Sequence, residues 1–461
     1  MKIKLEFDLS KTWEDMKRTF DKINIGHLLL LSLALHLFAM PFPSDGGMIF
    51  DEAHYVPAAM ATLRLEPANV EHTPLAKILI AISIGILGNY WFAWRFPIII
   101  MGVLTLYVFY RIAQFFLEEK TALIATAFLS FDIIFFVHSS IFVLDTPAIL
   151  FGLLGIERYL NGKHKSAATS FGISFLMKET GLFFLGATGI YHFLQGLKTR
   201  RLDMVKEDRR VRKKKALVQF LMFMLVLVIV GGGGLWIYDI IYKPTAGTTV
   251  QAIAQPVVYV DGNGNPTNTT TIVSRHTLKS LITNPVDHML FSWIYFSNLA
   301  PAVVTSEENF RPPWSWILPI GDIFNAPKYL IVSVRAGDLT WCTIRWISQI
   351  TPSVEFFLIP ILVAFAVNGI RKRRVDEKGL GLLVCAWILT SYMPFLMIGL
   401  FVQRMTFNYY FIYTIPALAL GIPYFWQSIS FSDKVRMGLL LIQLFVTIEF
   451  FLGFFPVVIF R

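Results

Sequence analysis

The feature that most constrains the fold of this chain is a series of apolar segments of about the length that crosses a lipid bilayer. These segments recur along the 461 residues and are separated by short basic blocks. A crossing helix needs roughly 20 apolar residues, because all its backbone polar groups must be satisfied within the segment. The composition agrees, with 55% hydrophobic and only 16% charged residues. The sequence therefore predicts an all-α, polytopic membrane protein.

The net charge of +10 indicates membrane topology rather than nucleic-acid binding. The basic residues lie in blocks between apolar runs, such as 198–215 and 371–374, which is where cytoplasmic loops carry them. We therefore expect no nucleic-acid partner. The two cysteines, Cys342 and Cys385, predict neither a disulfide framework nor a metal site.

The basic blocks arrange the apolar segments into about eleven crossings, with the amino terminus inside and the carboxyl terminus outside. The first span, 25–40, is expected to be retained, because no small-residue cleavage site follows it. The short segment 74–87 is predicted to lie at the outer interface. The other spans are expected at 93–117, 121–137, 141–160, two short helices within 166–197 that meet near Lys178, 216–237, 354–370, 380–401, 407–426 and 437–459.

This topology divides the chain into three parts. We expect an amino-terminal membrane module (1–237), a polar outer region (238–352) and a carboxy-terminal module of four membrane helices (353–461). The outer region has a turn-rich stretch at 261–266 and a glycosylation sequon at Asn268.

Ionisable residues from separate segments gather at the outer ends of the predicted spans. Charges near a bilayer are costly, so such residues indicate a functional site. The set consists of Asp51, Glu52, His72, Arg95, Asp145, Lys178 and Arg404. The outer side is therefore predicted to be the active side.

Several of these residues also have a simpler interpretation. The Asp51-Glu52 pair could cap the helix that follows it, and Asp145 could cap the helix that begins at Pro147. His72 could be a polar interfacial residue, and Arg95 could extend towards lipid headgroups. For Lys178, which lies among apolar residues, a bound anion or an acidic partner is favoured.

The chain resembles the protein O-mannosyltransferase family, which are membrane glycosyltransferases of the GT-C type. The resemblance runs in order along most of the chain. It is carried by Phe50-Asp51-Glu52-Ala53-His54-Tyr55, Glu71-His72-Thr73-Pro74, Trp94-Arg95-Phe96-Pro97, Phe131-Asp132, Leu144-Asp145, Met177-Lys178-Glu179-Thr180, Pro313-Trp314-Ser315-Trp316, and Arg404 with Phe407-Asn408-Tyr409-Tyr410. The chain departs from the family at Thr73, where a second proline is usual. The outer region also has no room for the β-trefoil domain of eukaryotic members, which indicates a compact archaeal or bacterial type.

The resemblance implies transfer of mannose from a dolichyl or other polyprenyl phosphate to Ser or Thr hydroxyls of proteins, with inversion at C1. The active site would face outwards from the plasma membrane, or into the lumen of the endoplasmic reticulum in a eukaryote. Asp51 would act as the base and Glu52 would orient the substrates. Arg95, Lys178 and Arg404 would bind the donor phosphate. Site-shaping roles fall to His54, His72, Asp145, Trp314, Trp316 and Tyr409, where the tryptophans act as a lid, a platform or packing residues. Assistance by a divalent cation and dimer formation both stay open.

Other functions remain as alternatives. The related aminoarabinose transferases share the acid pair, so the acceptor could be a lipid or a glycan. A lipid transporter would need charges spread through the membrane depth and internal repeats, and neither is clear in the sequence. A non-catalytic partner subunit is disfavoured by the intact acid pair.

Overall fold

The computed structural model describes residues 22–42, 47–202, 218, 220–246, 258–260, 266–268, 280–282, 284–298, 313–317, 331–332, 342–344, 346–370, 378–402 and 406–459. Within these ranges the chain is built mainly of helices, as predicted. The helices are α1 (Ile25–Ala39), α2 (Glu52–Leu63), α3 (Leu75–Leu87), α4 (Trp91–Phe116), α5 (Glu119–Ser130), α6 (Ile133–His138), α7 (Asp145–Leu160), α8 (His164–Met177), α9 (Leu182–Leu202), α10 (Phe220–Tyr242), α11 (Pro285–Asn298), α12 (Pro352–Glu355), α13 (Leu358–Ile370), α14 (Leu380–Met397), α15 (Ile415–Ser428) and α16 (Asp433–Phe454).

Five helical stretches in the described part of the chain are long and apolar enough to cross a membrane. They are Trp91–Phe116, Phe220–Tyr242, Pro352–Ile370, Leu380–Phe401 and Asp433–Phe454. Many of their apolar side chains face outwards; Ile229 and Ile237 of α10, for example, are 60% and 58% exposed. A soluble protein would bury such a surface, so the chain is an integral membrane protein. The full number of crossings and their orientation remain predictions.

The third predicted span, 121–137, is wrong as a single helix. The helix α5 ends at Ser130, and a separate short helix, α6, begins at Ile133. Asp132 causes the break, because its Oδ1 accepts the Phe135 N–H (2.9 Å) and caps the new helix. The following residues, 139–144, are buried without forming a helix, and α7 begins at Asp145.

The predicted break near Lys178 is confirmed. Lys178 has an extended backbone between α8 and α9, and a 3₁₀ turn, Glu179–Gly181, follows it. Gly181 packs so closely on Ser174 that a side chain would overlap it. The two short helices therefore meet at an ordered, non-helical junction that presents Lys178 and Glu179 inside the protein.

The tenth and eleventh predicted spans start and end elsewhere in the structure. A 3₁₀ turn, Asn408–Tyr413, precedes α15, which begins only at Ile415. The last helix runs from Asp433 to Phe454, and 457–459 form a strand instead of completing the helix. Pro456 follows the helix end and cannot donate a backbone hydrogen bond, which agrees with that end.

Short antiparallel ribbons accompany the helices. The strands are β1 (Thr245–Ala246), β2 (Val258–Val260), β3 (Pro266–Asn268), β4 (Ser280–Leu281), β5 (Ile331–Val332), β6 (Cys342–Ile344), β7 (Trp346–Ile347) and β8 (Val457–Ile459). They pair as β1 with β4, β2 with β3, β5 with β7 and β6 with β8. The turn expected at 261–266 falls between β2 and β3, although 261–265 lie outside the described residues.

The packed core lies around α5, α6 and α15. Residues 121–150 are buried throughout, and so are residues 411–424 of the 3₁₀ turn and α15. The helix α7 packs on α4 and α8, while α15 packs on α5. This arrangement brings the loop before α2, the start of α7 and the junction at Lys178 to one region.

Candidate active site

The two adjacent acids, Asp51 and Glu52, lie in different surroundings. Glu52 is fully buried, and its two carboxylate oxygens accept hydrogen bonds from Arg95 Nε (2.8 Å) and Nη2 (2.7 Å). The same oxygens also accept the backbone N–H groups of Ile49 (2.8 Å) and Phe142 (3.0 Å). Glu52 therefore fixes the loop before α2 to α4 and to the segment after α6. No oxygen position is left over for the substrate-orienting role expected of it.

Arg95 is equally saturated. Besides Glu52, its guanidinium donates to the carbonyl oxygens of Met40 (2.9 Å), Phe42 (3.0 Å) and Gly47 (3.0 Å). A guanidinium has five N–H donors, and all five are used. The structure therefore does not support the expected role of Arg95 as a phosphate ligand. The residue instead holds the chain between α1 and α2.

Asp51 differs from its neighbour in each of these respects. The residue is partly exposed, and within the described part of the chain its carboxylate accepts no hydrogen bond. It does not cap α2, so the capping interpretation fails for this residue. Burial raises the pKa of Asp51 above the ordinary value of 3.8, and the nearby charges of Lys178 and His54 act in the opposite direction. A carboxylate that is unengaged and more basic than usual is suited to accept a proton.

Lys178, whose charge acts on Asp51, forms an ion pair with Asp145. Its Nζ donates to Asp145 Oδ1 over 2.8 Å, and both side chains are buried. The sequence predicted either a bound anion or an acidic side chain as the partner of Lys178, and the structure shows the acidic side chain. An ammonium has three N–H donors, and among the described residues the other two have no partner. Asp145 lies in the first turn of α7 but serves as this counter-ion rather than as a cap.

A hydrogen-bonded pair joins His72 to the same junction. His72 Nδ1 lies 3.0 Å from Glu179 Oε1, and the Tyr55 ring packs edge-on against the imidazole (5.9 Å between centroids). Burial alone would raise the pKa of Glu179, but the His72 and Lys178 charges hold it below its usual range. Next to it, Thr180 Oγ1 donates to the Tyr413 hydroxyl over 2.6 Å.

Glu179, Tyr55 and Tyr413 are site residues that the sequence reasoning missed. Glu179 interrupts an apolar run together with Lys178, and this interruption was a usable signal for it. The tyrosines carried no such signal, because they stand among many other aromatic residues.

The remaining expected site residues are placed as follows. His54 is exposed on α2, and Tyr409 is buried with its ring stacked on His138 (5.0 Å between centroids). Trp316 is buried against Tyr392, so it is a packing residue. Trp314 and Trp316 belong to a 3₁₀ turn, Pro313–Trp316, and Trp314 is 43% exposed. Arg404 lies outside the described residues. No group of three or more metal-ligating side chains is present in the ranges that the structure describes.

Comparison with known proteins extends these observations. The structure of the S. cerevisiae protein O-mannosyltransferase Pmt1-Pmt2 complex bound to the sugar donor is similar over 94% of this chain and 89% of that chain, with a TM-score of 0.68 and 13% identity. ArnT from Cupriavidus metallidurans bound to undecaprenyl phosphate is similar over 91% of this chain and 62% of its own, with a TM-score of 0.49 and 13% identity. No curated protein matches the sequence.

The structure has the fold of the GT-C membrane glycosyltransferases, and the family match over residues 71–231 indicates a glycosyltransferase. More particularly, residues 71–231 match the sequence model of the dolichyl-phosphate-mannose-protein mannosyltransferase family. The matched region contains His72, Arg95, Asp145 and Lys178, whereas Asp51 precedes it. The resemblance seen in the sequence is thereby confirmed.

Proposed function

We propose that this chain transfers mannose from a polyprenyl-phosphate donor to Ser or Thr hydroxyls of proteins, with inversion at C1. One observation carries the proposal: the unengaged Asp51 carboxylate lies within the influence of the Lys178 charge, and the Lys178 ammonium keeps two N–H donors without a described partner. The first group can accept a proton, and the second can bind an anion. Sugar transfer from a lipid phosphate to a hydroxyl needs one of each.

The reaction follows from these two groups. The acceptor hydroxyl oxygen attacks C1 of the sugar while Asp51 takes the hydroxyl proton. The bond between C1 and the phosphate oxygen breaks, and the polyprenyl phosphate leaves with the electron pair. A phosphate is stable as an anion, so no general acid is needed. The Lys178 ammonium stabilises the charge that develops on the leaving oxygen.

The surrounding residues keep these two groups in place. Asp145 anchors Lys178 from one side and leaves the rest of the ammonium open. The Glu52 and Arg95 pair fixes the backbone immediately next to Asp51, because Glu52 binds both Arg95 and the Ile49 N–H. The base therefore lies on a rigid support, as catalytic geometry requires.

The protein acceptor and the outward orientation belong to the proposal as well. The family that matches residues 71–231 is named for transfer of mannose to protein, which supports a Ser or Thr acceptor. The distribution of basic blocks supports a site on the extracytoplasmic side.

The test is a transfer assay with purified protein in liposomes and radiolabelled polyprenyl-phosphate mannose. The acceptors are a Ser/Thr-containing peptide, the same peptide with Ala at those positions, and a lipid fraction. We expect label in the first peptide only, and none with Asp51→Asn. Label in the lipid fraction alone would replace the protein acceptor with a lipid, and label in none of them would overturn the proposal.

A further inference from the structure

A small cavity is lined in part by Phe50, the residue that precedes the proposed base. Its polar and aromatic wall consists of Phe50, His138, Trp346 and Ser348, and aliphatic side chains complete it. It has room for about one water-sized group. These residues come from the loop before α2, from α6 and from β7 with its following segment, so distant parts of the chain build the cavity together.

Two buried hydrogen-bonding groups on this wall have no partner. The Trp346 Nε1 and the His138 Nδ1 are both buried, and within the described part of the chain neither forms a hydrogen bond. The other ring nitrogen of His138 lies 3.3 Å from Ser348 Oγ. Buried Trp and His groups usually find a partner, because leaving one unsatisfied is costly. Two such groups beside one cavity indicate that its occupant supplies the partners.

The wall is also held in a defined shape. The His138 ring is stacked on Tyr409 (5.0 Å between centroids), and Phe50 packs edge-on against Tyr409 (5.2 Å). Phe50 has a φ of 52°, which is uncommon for a bulky residue. The Ser348 carbonyl is fixed by Asn408 Nδ2 (2.8 Å).

The chemistry of the wall selects the kind of occupant. Apart from His138, no ionisable side chain lines the cavity, so it offers no Lys or Arg charge to a phosphate. Aromatic faces combined with a few directed hydrogen-bonding groups suit a sugar. The attacking acceptor hydroxyl has to reach Asp51, and Asp51 is not among the lining residues. A hydroxyl that enters here is therefore one that does not react.

We infer that this cavity receives one non-reacting hydroxyl of the transferred sugar, with Trp346 as its hydrogen-bond donor and His138 as its second partner. The inference rests on the proposed function only in that the substrate is a lipid-linked sugar. Trp346 and His138 then determine which sugar is accepted, because a site built to bind a hydroxyl discriminates against a sugar that lacks it.

The experiment compares donors that each lack one sugar hydroxyl. Binding of radiolabelled polyprenyl-phosphate mannose and its 2-, 3-, 4- and 6-deoxy analogues is measured without acceptor, for Asp51→Asn alone and combined with Trp346→Phe or His138→Phe. Both second substitutions keep an aromatic ring and remove the hydrogen-bonding nitrogens. Trp426→Phe is the matched control, because it also removes a Trp hydrogen-bond donor. The Trp426 Nε1 donates to Gln443 Oε1 over 2.8 Å, and neither residue lines the cavity.

We expect Trp346→Phe and His138→Phe to weaken binding of the mannosyl donor by about 3- to 10-fold. For the deoxy donor that lacks the bound hydroxyl, the same substitutions should not weaken binding any further. Trp426→Phe should leave the binding of every donor unchanged. Equal weakening of all donors, with unchanged thermal unfolding, would mean that the cavity holds only water and would overturn the inference.

This binding series does not depend on the identity of the acceptor. If no peptide is labelled in the transfer assay but the deoxy pattern appears, the proposed acceptor is wrong and the sugar subsite stands. If peptides are labelled and the pattern is absent, the proposed function stands and the subsite is wrong.

Discussion

Two buried pairs in the part of the chain that the structure describes, Arg95 with Glu52 and Lys178 with Asp145, each join a Lys or Arg to a carboxylate but differ in how many hydrogen-bonding positions are filled. In the first pair, every guanidinium donor and both carboxylate oxygens are engaged. In the second, one N–H of the ammonium meets Asp145 and two meet no described residue. The first pair therefore has a structural role, whereas the Lys178 ammonium of the second pair can still donate hydrogen bonds to a ligand.

The difference has a physical reason. A buried charge is stable only if its hydrogen-bonding positions are filled, and a substrate phosphate can fill them as well as the protein can. Arg95 could bind a ligand only by breaking hydrogen bonds that it already makes within the protein, which would lower stability. At Lys178, a ligand would add hydrogen bonds without breaking one. Sequence alone does not reveal this difference, since both cations lie near predicted span ends.

The largest expected effect on stability comes from breaking the saturated pair. Glu52→Gln leaves the Arg95 charge buried without its counter-ion, which should destabilise the protein by about 3–5 kcal/mol. Thermal unfolding in detergent measures this effect. The adjacent Asp51→Asn is the matched control and should unfold close to the wild type. Similar unfolding temperatures for all three proteins would contradict the structural role of Glu52.

A second prediction concerns the open pair. Lys178→Gln should weaken donor binding by about 10- to 100-fold, because a charge-assisted hydrogen bond to phosphate is lost. Lys165→Gln removes an exposed lysine of α8 and should leave binding unchanged. Binding of radiolabelled donor to the two variants gives the comparison. Donor affinity that survives Lys178→Gln would move the phosphate site away from this residue.

A third prediction follows from the environment of Asp51. A base acts only when deprotonated, and burial raises the pKa of Asp51, so transfer should decline as the pH falls through that raised pKa. This decline should therefore occur at a higher pH than for an ordinary aspartate. Because the Lys178 charge lowers the pKa of Asp51, Lys178→Gln should move the decline to still higher pH. A pH profile of kcat/KM for the two proteins checks both directions, and an opposite displacement would contradict the influence of the Lys178 charge on Asp51.

The smallest effect is expected at the His72 and Glu179 pair. Both side chains are partly exposed, at 13% and 18%, so solvent screens their attraction. Replacement of His72 by Gln should lower kcat/KM by about 2- to 5-fold. A loss as large as that of Asp51→Asn would give His72 a direct part in the reaction.

The sequence predicted the all-α membrane fold and the junction at Lys178, because apolar length and basic blocks are strong signals. The break at Asp132 was missed, since a single capping carboxylate is a weak signal within an apolar run. The structural role of Arg95 depends on hydrogen bonds to the carbonyl groups of Met40, Phe42 and Gly47. Backbone acceptors of this kind cannot be inferred from the residue types in the sequence. Glu179 was overlooked because its partner, His72, is distant in sequence.

The central claim is that Asp51, and not its neighbour Glu52, is the base. The most direct measurement is the single-turnover rate of sugar transfer by Asp51→Asn, with donor saturating and folding verified by thermal unfolding. We predict a rate about 10²- to 10⁴-fold below the wild type, with donor bound at least as tightly. A rate within about 10-fold of the wild type in the folded variant would contradict the claim.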